Sequence, residues 1–338
     1  MQYFKLKSII TLSGGKGGSK LRILVLGLGA LGTVYSCLLK NRGHEIIGLD
    51  LEPVIAAINE QGVKVEGIWG EHEARLDLLV TNAAELQDEQ FDMVILTVKS
   101  YETGEICRQI QDLIGPNTYL LLAQNGYGNY EAASEYIAAD RIVLGRVIFG
   151  AETVKWGHSR VTVIADDVLL GSPDQLIDLR ILEDLAQVFN AAGIPTRASA
   201  QVMQYVWAKI IYNSALNPLG AILEVPYGQL AANYDSKSLM DEIIKEIFAV
   251  LEARGQKTPW ADAQEYIEAF YSQMIPPTVL HHASMLQDIQ RGRRTEIDAL
   301  NGAVINLGRA CGVPTPVNEV IVSLLKAKEA LRAKAMRG

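Results

Sequence analysis

Three glycines directly after a buried apolar run constrain this chain more than any other feature. Ile23 to Leu26 has no polar alternation, which is typical of a strand buried on both faces. It leads into Gly27-x-Gly29-x-x-Gly32, then a helical pattern from Thr33 to Asn41, and a second strand from Glu45 to Leu49. In such a unit the first glycine permits a tight turn, the second lets a pyrophosphate approach the backbone, and the third lets helix and strand pack closely. The N–H groups at the helix N-terminus then form an anion site.

An acidic residue follows this unit at a useful distance. Asp50 lies 18 positions after Gly32 (50 − 32), near the spacing at which a carboxylate contacts a ribose hydroxyl. A glycine-rich turn in any α/β protein is the alternative. The strand before the glycines, the helix after them and the acidic residue together favour dinucleotide binding.

Composition narrows the class of protein. The 338 residues are enough for two domains with substantial cores, and 49% hydrophobic with 21% charged residues is typical of a soluble globular protein. A net charge of −8 argues against nonspecific binding to nucleic acid or to an anionic membrane. Cys37, Cys107 and Cys311 are far apart and in no ligand spacing, so we expect a reducing cytoplasm and no metal site.

Residues 1–20 precede the first strand and read as a flexible extension. The segment 13–20, Ser-Gly-Gly-Lys-Gly-Gly-Ser-Lys, is basic and rich in glycine, but it lacks the spacing of a phosphate-binding loop. There is no long apolar core of a secretory signal.

From residue 21 to about 125 the pattern alternates between strand and helix, which predicts a doubly wound parallel sheet. Phe91 to Val98 is a predicted strand that ends at Lys99, and Thr118 to Ala123 is another that ends before Asn125. Ligands of such sheets lie beyond the carboxyl ends of the strands. Lys99 and Asn125 are therefore candidates for a site, although either could be an ordinary loop residue.

The remaining pattern predicts two domains. Arg141 to Phe149, Arg160 to Ile164 and Val168 to Gly171 indicate short strands that extend the sheet with antiparallel pieces, followed by a helix over 173–192. Beyond about 196 the patterns are helical, over 200–217, 236–253, 261–273, 279–291, 295–311 and 318–335. We expect a Rossmann-type dinucleotide domain over 21–195 and an all-helical substrate domain over 196–338, with a cleft between them as the default substrate site.

Three polar residues stand four apart in the first of these helices. Lys209, Asn213 and Asn217 share one helix face among apolar neighbours. Asparagine is a poor residue for the middle of a helix, and a solvated face would more often carry Glu or Arg. The stripe therefore favours a substrate-facing surface.

A second cluster spans 284–298. Ser284 and Asp288 share a helix face, and Thr295 is a candidate cap of the next helix with Asp298 as its capping-box partner. Glu296 would then lie in the first turn of that helix, where the dipole favours a carboxylate. Capping explains Thr295 and Asp298, whereas Ser284 and Glu296 have no comparable structural reason, although a glutamate at a helix start is common.

These motifs together resemble the ketopantoate reductase (2-dehydropantoate 2-reductase) family. The resemblance covers about 21–330 and rests on GLGALG at 27–32, VKS at 98–100, QNG at 124–126, WAKIIYNSALNP at 207–218 and SMLQDIQRGRRTEID at 284–298. It implies a cytoplasmic oxidoreductase of pantothenate biosynthesis that reduces ketopantoate to pantoate with NADP(H).

The resemblance also implies roles for individual residues. Lys209 matches the general acid and Glu296 its partner carboxylate. Asn125, Asn213, Asn217 and Ser284 match substrate ligands. The implied cofactor contacts are Gly27, Leu28, Gly29, Ala30, Leu31, Gly32, Asp50, Lys99, Asn125 and Glu296.

The chemistry agrees with these roles independently of the resemblance. Hydride delivery to a keto carbon leaves an alkoxide that must be protonated. A lysine with a pKa near 10.4 in water is charged at neutral pH, and can polarise the carbonyl and then donate its proton. Amides and a hydroxyl suit a small acid bearing hydroxyl and carboxylate groups.

The second strand departs from the family pattern. It ends Gly48-Leu-Asp50-Leu-Glu52-Pro53, where the family usually has an arginine for a 2′-phosphate, and the next base is Lys64. Asp50 would accept from a ribose hydroxyl and repel a phosphate, so we expect NAD(H) to serve at least as well as NADP(H).

Two other hypotheses stay open, an NAD-dependent D-2-hydroxyacid dehydrogenase of the same family and a dinucleotide-binding sensor without turnover. Partners are expected to be a small 2-keto acid and a second copy of the chain, with no nucleic acid and no membrane.

Overall fold

The computed structural model describes residues 20–335, in two compact units. The described residues up to Gln124 form the first unit together with Asn129–Val202. The segment Asn125–Gly128 belongs with the second unit, which continues from Met203. Except for Lys20, the expected extension over 1–20 lies outside the described residues.

The strands of the first unit form two sheets. In chain order they are β1 (Arg22–Leu26), β2 (Glu45–Leu49), β3 (Val63–Gly67), β4 (His72–Ala74), β5 (Leu78–Val80), β6 (Met93–Leu96), β7 (Tyr119–Leu122), β8 (Ile142–Arg146), β9 (Phe149–Lys155), β10 (His158–Ile164), β11 (Val168–Gly171) and β12 (Thr196–Ala198). The main sheet has the order β12-β11-β8-β7-β6-β1-β2-β5.

The main sheet is parallel apart from one strand pair. Only β11 and β8 run antiparallel within it, and the central strands β6 and β7 are buried along their whole length. Such continuous burial requires layers on both faces, which is why these strands are uniformly apolar. The predicted doubly wound fold is confirmed.

The second sheet, with the order β4-β3-β10-β9, was not predicted. The expectation that Arg160 to Ile164 would extend the main sheet is wrong, because β10 pairs with β3 and β9 instead. In β3, Val63 and Val65 are buried whereas Lys64 and Glu66 are partly exposed, so one face of this sheet packs inward. The alternation in this short strand was a signal that the sequence interpretation missed.

Five α-helices belong to the first unit. They are α1 (Ala30–Asn41), α2 (Glu52–Gln61), α3 (Thr103–Ile110), α4 (Asn129–Ser134) and α5 (Leu179–Ala191). The helix α5 begins six residues later than the predicted start at 173 (179 − 173), because the Asp178 carboxylate accepts the Arg180 N–H at 2.9 Å and caps it.

Every regular element of the described residues beyond Ala198 is helical, as predicted. These are α6 (Val202–Leu223), α7 (Tyr227–Ala232), α8 (Tyr234–Ala253), α9 (Ala263–Ala269), α10 (Ser284–Gln290), α11 (Asn301–Cys311) and α12 (Pro316–Ala335). A π-helical turn, Phe270–Met274, follows α9.

The helix α6 continues past the proline at which it was predicted to end. Pro218 has no N–H, so it cannot bond the carbonyl of Ser214 four residues earlier. The side-chain amide of Asn301 donates to that carbonyl at 3.1 Å. This substitute bond from another helix explains why the expected end at Asn217 is wrong.

The helix predicted from Thr295 also begins elsewhere. Thr295 accepts the Ile297 N–H at 3.4 Å, but only a 3-10 turn, Ile297–Ala299, follows. The regular helix α11 starts at Asn301. Asp298 forms ion pairs with Arg294 and Lys326, so it does not complete the expected capping box.

Candidate active site

Two of the three glycines in the turn after β1 are required by the fold itself. Gly27 has φ of +87°, and a side-chain carbon there would lie 2.9 Å from Val98. A side-chain carbon at Gly32 would lie 1.8 Å from the carbonyl oxygen of Gly27. A larger residue at Gly27 would push the turn away from Val98, and one at Gly32 would push α1 away from the turn.

Gly29 differs from the other two glycines. A side-chain carbon there would meet nothing within 4 Å, so nothing in the first unit needs a glycine at this place. Gly29 is the N-cap of α1 and no side chain caps this helix end. Open space beside uncapped N–H groups is what a phosphate group requires, and the residues present fit a dinucleotide pyrophosphate.

Asp50 lies just beyond the end of β2 and bonds to the same turn. Its carboxylate accepts the Leu28 N–H at 2.5 Å and the Leu51 N–H at 2.6 Å. Burial raises the pKa of Asp50, against the lowering effect of these two bonds. Each carboxylate oxygen has a further lone pair, so the side chain can still accept from ribose hydroxyls.

The first lysine or arginine on each side of Asp50 in the sequence lies away from the end of β2. Lys64 lies in the second sheet, paired with Glu73 at 3.2 Å and with Glu71 at 3.7 Å. Arg42 caps the far end of α1, about 18 Å along the axis from the glycine turn for a helix of twelve residues. Neither residue is placed to neutralise a phosphate at the end of β2.

A chain of side-chain hydrogen bonds within the first unit joins Gln124 to Asn129, the residues before and after the segment 125–128. The Gln124 amide donates to the Val98 carbonyl at 3.0 Å and to the Thr103 hydroxyl at 2.7 Å. Thr103 in turn donates to the Asn129 side chain at 2.9 Å. The residues on either side of 125–128 are thereby held together through Thr103. Lys99, a candidate cofactor contact, lies in the first unit, directly before the turn Ser100–Glu102.

Within the second unit, Asn125 meets the predicted acid. The Lys209 Nζ donates to the Asn125 Oδ1 at 2.6 Å. The structure thus brings together two residues that are 84 positions apart and that the sequence analysis had selected separately.

The two residues after Asn125 hold this contact in place. Gly126 has φ of +89°, and a side-chain carbon there would lie 2.6 Å from Ala299. The Tyr127 N–H donates to the Ala299 carbonyl at 2.7 Å, and the Tyr127 ring stacks on Trp207 with centroids 5.0 Å apart. The segment therefore touches both α6 and the turn that follows Glu296.

Glu296 is buried, and it is the residue from which that turn starts. The turn is anchored from both sides, by Tyr127 at Ala299 and by Asn301 at the carbonyl of Ser214. Asn301 also donates to the Asn318 Oδ1 at 2.9 Å, and the Asn318 amide donates to Glu246 at 2.7 Å. The bond from Asn301 thus ties the chain that follows this turn to α6.

The other predicted substrate ligands have different surroundings. Asn213 is partly buried on α6. Asn217 is buried, and its Oδ1 accepts from the Tyr227 hydroxyl at 2.5 Å. Ser284 is the first residue of α10 and is exposed, whereas Asp288 is buried and paired with Arg293.

Several side chains that shape the site were not identified from the sequence. Tyr127 and Trp207 gave no spacing signal, although both border quoted motifs. Tyr227 follows Pro226 at the start of a short helix, and nothing in the sequence links it to Asn217. Asn301 had one available signal, because Pro218 leaves a carbonyl that needs a donor from elsewhere.

Two kinds of feature are absent from residues 20–335. No group of three His, Cys, Asp or Glu side chains is arranged to hold a metal ion. No helix there combines the length and the apolar character needed to cross a membrane.

Comparison with known proteins identifies the family. Residues 23–175 match the family model described as ketopantoate reductase PanE/ApbA, and 201–329 match the model of its C-terminal region. A curated 2-dehydropantoate 2-reductase of Aquifex aeolicus (strain VF5) is 46% identical over 316 residues, which are 93% of this chain and 99% of that protein.

Two solved structures are also similar. A D-mandelate dehydrogenase in a ternary structure with NADH and anilino(oxo)acetate has a TM-score of 0.84 and 26% identity, over 92% of this chain and 99% of that one. A ketopantoate reductase from Ralstonia eutropha JMP134 has a TM-score of 0.81 and 27% identity, over 92% and 99%. The chain belongs to the ketopantoate reductase family of oxidoreductases.

Proposed function

We propose that this protein reduces 2-dehydropantoate (ketopantoate) to pantoate with a nicotinamide cofactor, and that Lys209 is its general acid. The observation that carries the proposal is the 2.6 Å hydrogen bond between the Lys209 Nζ and the Asn125 Oδ1. It places an ammonium group against an amide in the second unit, which also carries Asn213, Asn217 and the buried Glu296, and these are groups suited to a small keto acid.

The cofactor, when bound at the glycine turn, supplies the hydride that adds to the keto carbon. Gly27, Leu28, Gly29, Ala30, Leu31 and Gly32 would hold its pyrophosphate, with Lys99 on the same side. The Lys209 ammonium polarises the keto oxygen and stabilises the negative charge that develops there. It then gives one N–H proton to that oxygen, which leaves an alcohol and a neutral amine.

The remaining residues bind and orient. Glu296 is assigned as the carboxylate partner of Lys209 in the reaction. Asn125 positions Lys209 through the observed bond and borders the nicotinamide. Asn213, Asn217 and Ser284 bind the hydroxyl and carboxylate groups of the substrate.

Replacement of Lys209 tests this assignment. We expect Lys209→Ala to lower kcat for ketopantoate by about 10²–10⁴-fold, the usual contribution of a positioned acid. Cofactor affinity measured by fluorescence titration should be unchanged, because the residues that hold the pyrophosphate belong to the first unit. The control is Lys245→Ala, since Lys245 lies on α8 and forms an ion pair with the exposed Glu242. A Lys209→Ala enzyme with near wild-type kcat would remove this lysine from the mechanism.

We further propose that NADH serves at least as well as NADPH. The support is Asp50, which offers a carboxylate to the ribose hydroxyls and has no base beside it in sequence. A 2′-phosphate there would place about two negative charges beside a third. At about 4 Å and an effective dielectric near 20, each unit pair costs around 4 kcal/mol before solvent rearranges.

The deciding measurement is kcat/KM with each cofactor in wild type, Asp50→Ala and Lys99→Ala. We expect Asp50→Ala to raise NADPH efficiency relative to NADH. A wild-type preference for NADPH of tenfold or more, lost in Lys99→Ala, would show that Lys99 neutralises the phosphate and would overturn the NADH proposal.

We also propose a cellular compartment and an oligomeric state for the protein. A reducing cytoplasm suits three cysteines that form no disulfide.

A homodimer through the helical unit is supported by the exposed Val320, Leu324 and Leu331 on α12. A two-fold axis at the middle of α12 would set Val320 against Leu331 and Glu319 against Arg332 of the second copy, which is complementary in charge. Sedimentation of wild type and Leu324→Glu tests this, and a monomeric wild type would refute it.

A further inference from the structure

Tyr227 makes an unusual contact for a buried tyrosine. It is 3% exposed at the start of α7, with the ring of Tyr212 at 6.1 Å and that of His281 at 5.3 Å between centroids. Its hydroxyl reaches Asn217, where it bonds the Oδ1 at 2.5 Å. The backbone N–H of Tyr227 donates to the His281 carbonyl at 3.1 Å, which fixes the ring at its base.

The Tyr227 hydroxyl donates in this hydrogen bond, because its buried proton requires an acceptor. An amide oxygen and an amide nitrogen are told apart by their partners. Burial raises the pKa of Tyr227 far above its ordinary value, so the phenol always carries its proton. Among residues 20–335, the Asn217 oxygen is the acceptor that the hydroxyl reaches. If the amide were reversed, this buried proton would have no acceptor there, which is unfavourable.

The engaged oxygen determines what Asn217 can offer a ligand. An amide has one acceptor oxygen and an NH₂ group that only donates. The Tyr227 bond takes one lone pair of the oxygen and fixes which way the amide faces, so the NH₂ group is the part of Asn217 directed away from Tyr227. The target of that NH₂ group must carry a lone pair, as a hydroxyl oxygen does.

Position along α6 indicates which substrate oxygen this is. Asn217 is eight residues from Lys209, about 12 Å along the helix axis, whereas Asn213 is four residues and about 6 Å away. In ketopantoate the carboxylate is bonded directly to the keto carbon, and the hydroxyl is at the other end of the molecule. Asn213 is closer to the groups around the keto carbon, and Asn217 to the distant hydroxyl.

We propose that Tyr227 is a positioning residue for substrate specificity, which orients the Asn217 amide so that its NH₂ group binds the hydroxyl oxygen of the keto acid. The inference rests on the proposed function. It makes Tyr227 responsible, through Asn217, for the preference for a hydroxylated 2-keto acid over a purely aliphatic one.

Tyr227→Phe tests the proposal with little change in volume. We expect KM for ketopantoate to rise about three- to tenfold, the size of one neutral hydrogen bond, while kcat changes less than twofold. KM for 2-keto-isovalerate, which has no hydroxyl, should stay within twofold of wild type. The KM for the cofactor should not change.

Tyr266→Phe is the matched control. Tyr266 is fully buried in the same unit, and its hydroxyl donates to the Ala208 carbonyl of α6 at 3.0 Å. Its removal deletes one buried tyrosine hydrogen bond to α6 without touching Asn217. This variant should match Tyr227→Phe in its loss of thermal stability, but its KM for ketopantoate should match wild type.

Three results would overturn the inference: an unchanged KM for ketopantoate in Tyr227→Phe, an equal rise for both keto acids, or an equal rise in Tyr266→Phe. Asn217→Asp provides a second test if Tyr227→Phe does not fold. It replaces the donating NH₂ with an accepting oxygen and should raise KM for ketopantoate at least tenfold. A wild-type protein inactive on ketopantoate would contradict the proposed function itself, which is a separate outcome.

Discussion

Asn301 supplies a hydrogen bond that α6 cannot form within itself, because Pro218 has no N–H group. Pro218 leaves the Ser214 carbonyl without its helical donor, and the Asn301 amide supplies one at 3.1 Å. Because α6 carries Lys209, Asn213 and Asn217, this bond supports the helix on which the proposed chemistry depends. We predict that Asn301→Ala destabilises the protein, and that most of the cost disappears when Pro218 is replaced as well.

The loss of stability in Asn301→Ala is estimated from the buried acceptors that the substitution leaves without a donor. Asn301→Ala removes the donor from two buried acceptors, the Ser214 carbonyl and the Asn318 Oδ1. Each orphaned acceptor costs about 1–3 kcal/mol, so the pair costs about 4 kcal/mol. The Asn301 Oδ1 has no partner among the described residues, and its removal recovers about 2 kcal/mol. The net loss is about 2 kcal/mol, a substantial part of the 5–15 kcal/mol typical of a folded domain.

A double-mutant cycle isolates the contribution of the proline. In Pro218→Ala the helix regains an N–H for the Ser214 carbonyl, so Asn301→Ala should cost about 1–2 kcal/mol less in that background. The free energy of unfolding is measured by urea denaturation of wild type, both single variants and the double variant. If the two substitutions are additive to within about 0.5 kcal/mol, the proposed role of Asn301 at Pro218 is refuted.

Three further predictions concern pH and thiol reactivity. Burial raises the pKa of Asp50, and the charged carboxylate accepts ribose protons more strongly than the neutral acid, so KM for NADH should rise as pH falls through that pKa. The pH profiles of wild type and Asp50→Asn test this, and a pH-dependent KM in Asp50→Asn would contradict it. The His44 Nδ1 accepts the Leu21 N–H at 3.1 Å, and burial lowers the pKa of His44 in the folded protein. The neutral imidazole therefore stabilises the folded state fully above the ordinary pKa of about 6.5, and this contribution is lost as pH falls from there toward the lower pKa of the folded state. Thermal melts from pH 7.5 to pH 5 should show a loss of up to about 1.4 kcal/mol per pH unit that is absent in His44→Gln, and equal slopes would exclude His44 as its source. Burial raises the pKa of Cys37 to about 12 and that of Cys107 to about 11. An aromatic disulfide reagent at pH 7 should therefore modify Cys311 alone in the native protein. Rapid modification of all three cysteines would show that the two buried thiols are accessible.

The sequence was informative where one local pattern determines the structure. The strand, glycine turn and helix at 21–41 were predicted from the local spacing of three glycines, two of which, Gly27 and Gly32, have a steric reason of their own. The stripe of Lys209, Asn213 and Asn217 was found because helical periodicity alone places those residues on one face. Neither prediction needed information from a distant part of the chain.

The sequence failed where a distant residue decides the outcome. The end of α6 was misplaced because the donor that sustains it, Asn301, is 83 residues away from Pro218 (301 − 218). The second sheet was missed because β3 is short and gains its partner, β10, from about 95 residues later. The partner of Asn217 could not be foreseen, since an aromatic residue after Pro226 is equally compatible with ordinary core packing.

The most direct test of the central claim is the ratio of kcat/KM for ketopantoate to that for 2-keto-isovalerate, measured for the wild-type protein with NADH and with NADPH. The stripe of amides beside Lys209 predicts a ratio of about ten or more, because a buried amide left without the substrate hydroxyl costs about 1–3 kcal/mol. A higher kcat/KM for 2-keto-isovalerate would contradict the account and favour a D-2-hydroxyacid dehydrogenase, and no turnover of either acid would favour a dinucleotide-binding sensor.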